Sequence, residues 1–242
     1  MNGYFIFDNI NTKEYGVIIS GVNTFAAPER DVEMVTIPGR NGLLTLDNGR
    51  YQNIKITYPC FMPTDNFQTN FDAFKAAMLA KVGYFELSDT YHADGFRKAR
   101  IIDGITPKTG IYNKTASFDV RFDCYPQFFL DSGDTYLEAD EIVNPTNFDA
   151  LPLIKVTFSS STRTGTVTVN GRTITITGAE ADTIYIDCES QNAYYISTGV
   201  AISQNGKIAV ADDFPVVKPG VNAIADTGNI SSVKIKPRWW ML

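Results

Sequence analysis

Histidine is almost absent from this chain: one residue, His92, stands in 242. A Ser-His-Asp arrangement would have to use it, and no GxSxG segment marks a nucleophile. Cysteine is scarce and odd in number. Cys60, Cys124 and Cys188 lie far apart, each in or beside a strand-like run, which reads as three buried free thiols in a protein folded in a reducing cytoplasm. No His/Cys cluster has metal-ligand spacing, and no cofactor is expected. Basic excess is also missing. Lys and Arg number 21 against 27 Asp and Glu, a net charge of −6, so a surface built to wrap nucleic acid is not expected. No apolar run approaches the ~18 residues of a membrane span. The opening MNGYFIFDNINTKEYGV lacks a basic region ahead of its short apolar patch, so it does not read as a secretory signal.

What is present is β pattern. Residues 53–58 place Ile54, Ile56 and Tyr58 on one face and Lys55 and Thr57 on the other. Residues 115–124 alternate more fully: Ala116, Phe118, Val120, Phe122 and Cys124 point inward, and Ser117, Asp119, Arg121 and Asp123 outward. That is the period of a half-buried antiparallel strand. Shorter strands are expected at 4–7, 16–20, 32–37, 84–87 and 98–103. One helix is expected at about 65–82, where Phe67, Phe71, Phe74 and Met78 form one apolar stripe. Thr64 or Asp65 would cap its start and Gly83 its end.

After Pro126 the texture changes. Residues 127–152 are acidic and punctuated by proline, and read as a domain connection with one strand at 135–143. Beyond it come short strands and no helix: 153–158, 165–169, 172–177, 183–188, 194–196, 208–210, 214–217, 221–225 and 230–236. Asn170-Gly171 between two of these is a hairpin signal. The expected fold is mainly β in two domains. Residues 1–135 form a β-sandwich or split barrel with one packed helix, and residues 136–242 form a second β domain, a β-sandwich or jelly roll.

The stretch IPGRNGLLTLDNGRYQNIKITY at 37–58 holds glycines and basic residues that invite a phosphate-loop reading. A phosphate loop leads into a helix. This one leads into strand and turn, with turn dipeptides at Pro38-Gly39, Asn41-Gly42 and Asn48-Gly49. It reads as an extended β arm, with Arg40 and Arg50 suited to carboxylates of a neighbouring surface. Acidic groups such as Asp212-Asp213, or Glu138, Asp140 and Glu141, read as solvated surface rather than a catalytic pair, so the chain is not expected to be an enzyme.

The ordered segments YFIFDNINTKEYGVIISG, IPGRNGLLTLDNGRYQNIKITY, the single helix, NPTNFDALPLIKV (144–156) and VKIKPRWWML (233–242) together resemble the distal tail protein family of long-tailed bacteriophages. The resemblance runs over nearly the whole chain. It implies a structural virion protein at the tail tip, made in the host bacterial cytoplasm. The N-terminal domain would close into a homohexameric ring that continues the tail tube around a channel holding the tape measure. The C-terminal domain would be a galectin-like sandwich without room for a carbohydrate-binding insertion. Implied partners are the tail tube protein, the tail-associated baseplate or tip protein and a receptor-binding protein, with no stable nucleic-acid binding and no membrane. Within that reading, Gly39, Arg40, Asn41, Gly42, Asn48, Gly49 and Arg50 form a candidate inter-subunit arm. Trp239 and Trp240 form a candidate C-terminal anchor, a terminal strand locked into the fold with one ring in the core. The alternative is a carbohydrate-binding sandwich module, suggested by aromatics such as Tyr194 and Tyr195.

Overall fold

The computed structural model describes residues 3–22, 24–63, 66–110 and 114–242. The chain divides into two compact units, Met1–Phe128 with Leu242, and Phe129–Met241. The division falls inside one long strand, upstream of the 135/136 boundary read from composition.

In the first unit, β1 (Phe5–Phe7), β2 (Ile10–Asn11), β3 (Ile18–Ile19), β4 (Arg30–Thr36), β5 (Leu43–Tyr51) and β6 (Ile54–Pro63) precede the helix α1 (Phe67–Leu79). β7 (Phe85–Asp89), β8 (His92–Ile101), β9 (Lys108–Thr109) and β10 (Thr115–Leu130) follow it. The main sheet runs β2-β1-β7-β8-β10-β6-β3, with β9 also on β10. Ile19 N–H donates to the Gly3 carbonyl at 3.0 Å, so the last strand meets the segment leading into β1 and the sheet curls on itself.

The alternation in β6 and β10 explains the interior. Ile54, Ile56 and Tyr58 on one strand and Ala116, Phe118, Val120, Phe122 and Cys124 on the other are buried. The two strands pair antiparallel from Thr115↔Pro63 to Cys124↔Ile54. α1 lays Phe67, Phe71, Phe74 and Met78 over this face, and Phe71 meets Phe118 edge-on at 5.2 Å. Each such side chain contributes about 1.5–3 kcal/mol by leaving water. Phe5, Phe7, Tyr58 and Phe122 extend the aromatic core. The expected caps Thr64 and Asp65 lie outside the described residues. α1 ends at Leu79 with Ala80 as its C-cap, three positions before Gly83.

Three local expectations need correction. Asp123 sits on the outward face yet is buried, because Tyr84, Asn53 and Arg100 close over its carboxylate at 2.9–3.1 Å. The strand expected at 98–103 begins at His92 and ends at Ile101. Residues 127–130 continue β10 instead of opening a connection.

The second unit is a sandwich of two five-stranded sheets. One runs β11 (Glu141–Asn144), β19 (Gly220–Gly228), β13 (Gly165–Val169), β14 (Arg172–Ile176) and β18 (Ile208–Val210). The other runs β17 (Val200–Ser203), β16 (Asn192–Ser197), β15 (Thr183–Asp187), β12 (Leu153–Phe158) and β20 (Ile230–Lys236). β21 (Trp240–Met241) joins the end of β10. Ile154, Val156, Val167, Ile174, Ile176, Ile184 and Ile186 fill the space between the sheets at zero exposure. Asn170 (φ 50°) and Gly171 (φ 79°) make the two-residue turn between β13 and β14, with Val169 opposite Arg172. Both positive angles are those of a type I′ hairpin. Among the described residues the run 214–217 pairs only through an isolated Val217–Ala150 bridge.

Candidate functional site: an exposed β arm

Among the described residues β4 and β5 pair with each other and with no other strand, forming a two-stranded arm. Ile37-Pro38-Gly39-Arg40 reverses the chain at its tip: Arg40 N–H reaches the Ile37 carbonyl at 3.2 Å, and Gly39 has φ 79°. Proline followed by a left-handed glycine is the chemistry of a type II turn. At the base, Arg30 grips Asp47 through two nitrogens at 2.8–3.1 Å and lies over the Tyr51 ring. Arg50 Nε meets Asp31 at 2.6 Å. Bonds from Arg50 and Asn48 hold the Asp31 carboxyl below the ordinary range, and bonds from Arg30 and the Gly49 N–H do the same for Asp47.

Asn48-Gly49 is not a reversal, as the dipeptide suggested. The register slips between Arg30 and Val32, so Asn48 to Arg50 stand against Asp31 alone. Gly49 takes φ 72° and donates to Asp47 at 2.8 Å, making a bulge inside β5. Arg50 is therefore paired within the arm, whereas Arg40 at the tip makes no ion pair among the described residues.

The register shows what the arm presents. Val35 opposes Leu44 and Glu33 opposes Leu46 on one face; Met34 opposes Thr45 and Thr36 opposes Leu43 on the other. Opposite residues share a face, so aliphatic side chains lie on both. Met34 is 61% exposed, Leu43 52% and Leu46 45%. A lone hairpin is marginal in water, and neither face of this one is covered among the described residues. The aliphatic spacing was visible in the sequence as MVTI and LLTL, but nothing there showed that both strands leave the main sheet.

The tryptophans occupy a different place, in the second unit. Trp239 is buried and donates from Nε1 to Ser132 Oγ at 3.0 Å. Trp240 is half-buried, stacks on Phe148 and donates from Nε1 to the Asp149 carbonyl at 3.0 Å. Both rings are engaged within the sandwich.

Solved structures resemble the whole of this architecture. The crystal structure of SPP1 Dit, a paradigm of the hub adsorption apparatus in phages infecting Gram-positive bacteria, superposes with a TM-score of 0.73 at 12% identity over 97% of both chains. A chain of the phage P2 baseplate in its activated conformation with Ca gives 0.61 at 11% identity, and one from the Sr form 0.59 at 11%, each over 97% of both chains. This chain has the fold of a phage distal tail protein. No family model matches it, and no curated protein sequence matches it significantly.

Within this distal-tail fold several of the candidate reactive groups are engaged. Burial pushes the thiols of Cys60, Cys124 and Cys188 up to about 12, which leaves them protonated and inert. His92 sits in a tight turn against Asp89 at 3.0 Å with its ring on Phe25. Asp213 pairs with Arg172, and Glu138 with Lys234. Among the described residues no three His, Cys, Asp or Glu side chains gather as a metal site.

Proposed function

We propose that this chain is a structural subunit of a phage tail tip, closing with five further copies into a ring that joins the tail tube to the baseplate or tip protein. The observation that carries this is the end-to-end likeness to SPP1 Dit across both units. The related solved chains belong to hub and baseplate assemblies. Ring closure requires a heterologous interface, the same pair of unlike patches repeated around an axis. The β4–β5 arm supplies one such patch: Met34, Leu43, Leu44 and Leu46 are exposed on a protrusion that a neighbouring copy would cover. The tail tube protein, the tail-associated baseplate protein and a receptor-binding protein are the proposed further partners. Location in the virion tail follows from the same reading.

A carbohydrate-binding module is the competing reading. What weighs against it is the engagement of its aromatics: Tyr194 lies beside Tyr185 with rings 5.5 Å apart, and Tyr195 packs against the sandwich core.

Deletion of residues 39–49 tests the arm. The expected product keeps its far-ultraviolet spectrum and cooperative unfolding but no longer assembles. A truncated protein that forms the same oligomer as the intact chain would overturn the arm's role.

A further inference from the structure

Five Asn-Gly pairs occur in the sequence. Glycine after asparagine leaves the backbone nitrogen unhindered, so that nitrogen can attack the asparagine side chain. Whether it does depends on how freely the two groups move and on what already holds them.

Asn2 lies outside the described residues. Three of the remaining four pairs are held. At Asn48-Gly49 the Gly49 N–H is donated to Asp47 and the Asn48 side chain to Asp31. At Asn170-Gly171 the Asn170 amide is donated to the Val216 carbonyl at 3.1 Å and to Asn222 Oδ1. At Asn205-Gly206 the Asn205 amide accepts from Ala193 N–H at 2.6 Å and donates to Asn192 Oδ1 at 2.8 Å. Asn41-Gly42 differs. Both residues are exposed at the arm tip, and neither side-chain atom of Asn41 has a partner among the described residues.

We infer that Asn41-Gly42 is a site of spontaneous intramolecular deamidation. The Gly42 backbone nitrogen, losing its proton to solvent base, bonds to Asn41 Cγ. The Cγ–Nδ2 bond breaks and ammonia leaves, closing a succinimide. Water then opens the ring at either carbonyl, leaving aspartate or isoaspartate. No oxidation or reduction takes place. The product places a carboxylate beside Arg40, and the isoaspartate form also lengthens the backbone at the turn. The chemistry is independent of the assembly reading. Should the arm be an interface, the chains modified would be those not yet assembled.

The test is peptide mapping of the full-length protein aged in warm, mildly alkaline buffer, following the mass increase that accompanies exchange of a side-chain NH2 for OH. Conversion at Asn41 should run several-fold faster than at Asn48, Asn170 or Asn205, and Asn41→Gln should abolish the early phase. Conversion at Asn41 no faster than at the three held positions would overturn the inference. Asp47→Ala gives a second arm, because it frees the Gly49 N–H. Conversion at Asn48 should then rise, and an unchanged rate there would show that hydrogen bonding does not set the ranking.

Discussion

Phe148 and Trp240 stack with centroids 4.4 Å apart and planes 17° apart. The contact joins the NPTNF stretch to the PRWW ending, two of the segments that carry the resemblance. Asn144 holds the first in shape: its Oδ1 accepts from the Thr146 N–H and hydroxyl at 2.8–2.9 Å, and its amide donates to the Phe148 carbonyl at 3.0 Å. The turn therefore presents Phe148 to the terminal strand. Replacing the buried Trp239 with alanine should cost about 3–5 kcal/mol in urea unfolding. A Phe148→Ala/Trp240→Ala double-mutant cycle should return a coupling of about 1 kcal/mol.

Acid should destabilise the protein through specific carboxylates. Burial raises the Asp187 carboxyl, but hydrogen bonding and charge from Arg238 outweigh it, leaving a net lowering. At Asp123 burial is likewise outweighed by bonds from Tyr84, Asn53 and Arg100. Both then titrate below the unfolded aspartate value of about 3.9. Their stabilisation is complete above that value and is lost as pH falls through the folded values. Urea midpoints should drop on acidification below about pH 4, and Arg238→Gln should flatten part of that slope. A wild-type midpoint independent of pH in this range would contradict the assignment.

The three thiols give a simple chemical readout. All are buried, with pKa values of about 12. The native protein should resist a thiol-specific disulfide reagent near neutral pH, and the denatured protein should react at all three. Rapid labelling of the native chain would show that the packing around Cys60, Cys124 or Cys188 opens.

Two turn glycines should differ in their tolerance of a side chain. Gly171 has φ 79° and open space around it, so Gly171→Ala should cost only the conformational strain, about 1 kcal/mol. Gly228 has φ 84° and its added Cβ would lie 2.7 Å from both Gly165 Cα and the Thr164 carbonyl oxygen. Backbone atoms cannot step aside as a side chain can, so Gly228→Ala should be the more damaging. Thermal unfolding of the pair checks the order, and equal losses would refute it.

The fold was legible wherever one face of an element is dry and the other wet. The inward set of β10 and the stripe of α1 are of that kind, and so are most strands of the second sandwich. What the sequence left unread has physical causes. β17 reads VAIS and is exposed throughout, so it carries no alternation to detect. The β5 bulge depends on Asp31 and Asp47 binding residues from the facing strand or across the turn, which a dipeptide rule does not contain. Asp123 is covered by partners 23 to 70 residues away in sequence. The arm's sequence could be recognised as extended, but its separation from the main sheet is a tertiary fact.

Ring assembly through the arm is tested most directly by the mass of the purified protein in light scattering, with negative-stain images of the same sample, for the intact chain and for Leu44→Ser/Leu46→Ser. These two side chains are exposed, so the substitution should leave unfolding within about 0.5 kcal/mol of the parent. A self-assembling hub should give a six-subunit ring for the intact chain and lose it in the variant. An intact chain that stays monomeric at every concentration would contradict the self-assembling ring, and a ring that survives the substitution unchanged would remove the arm from it.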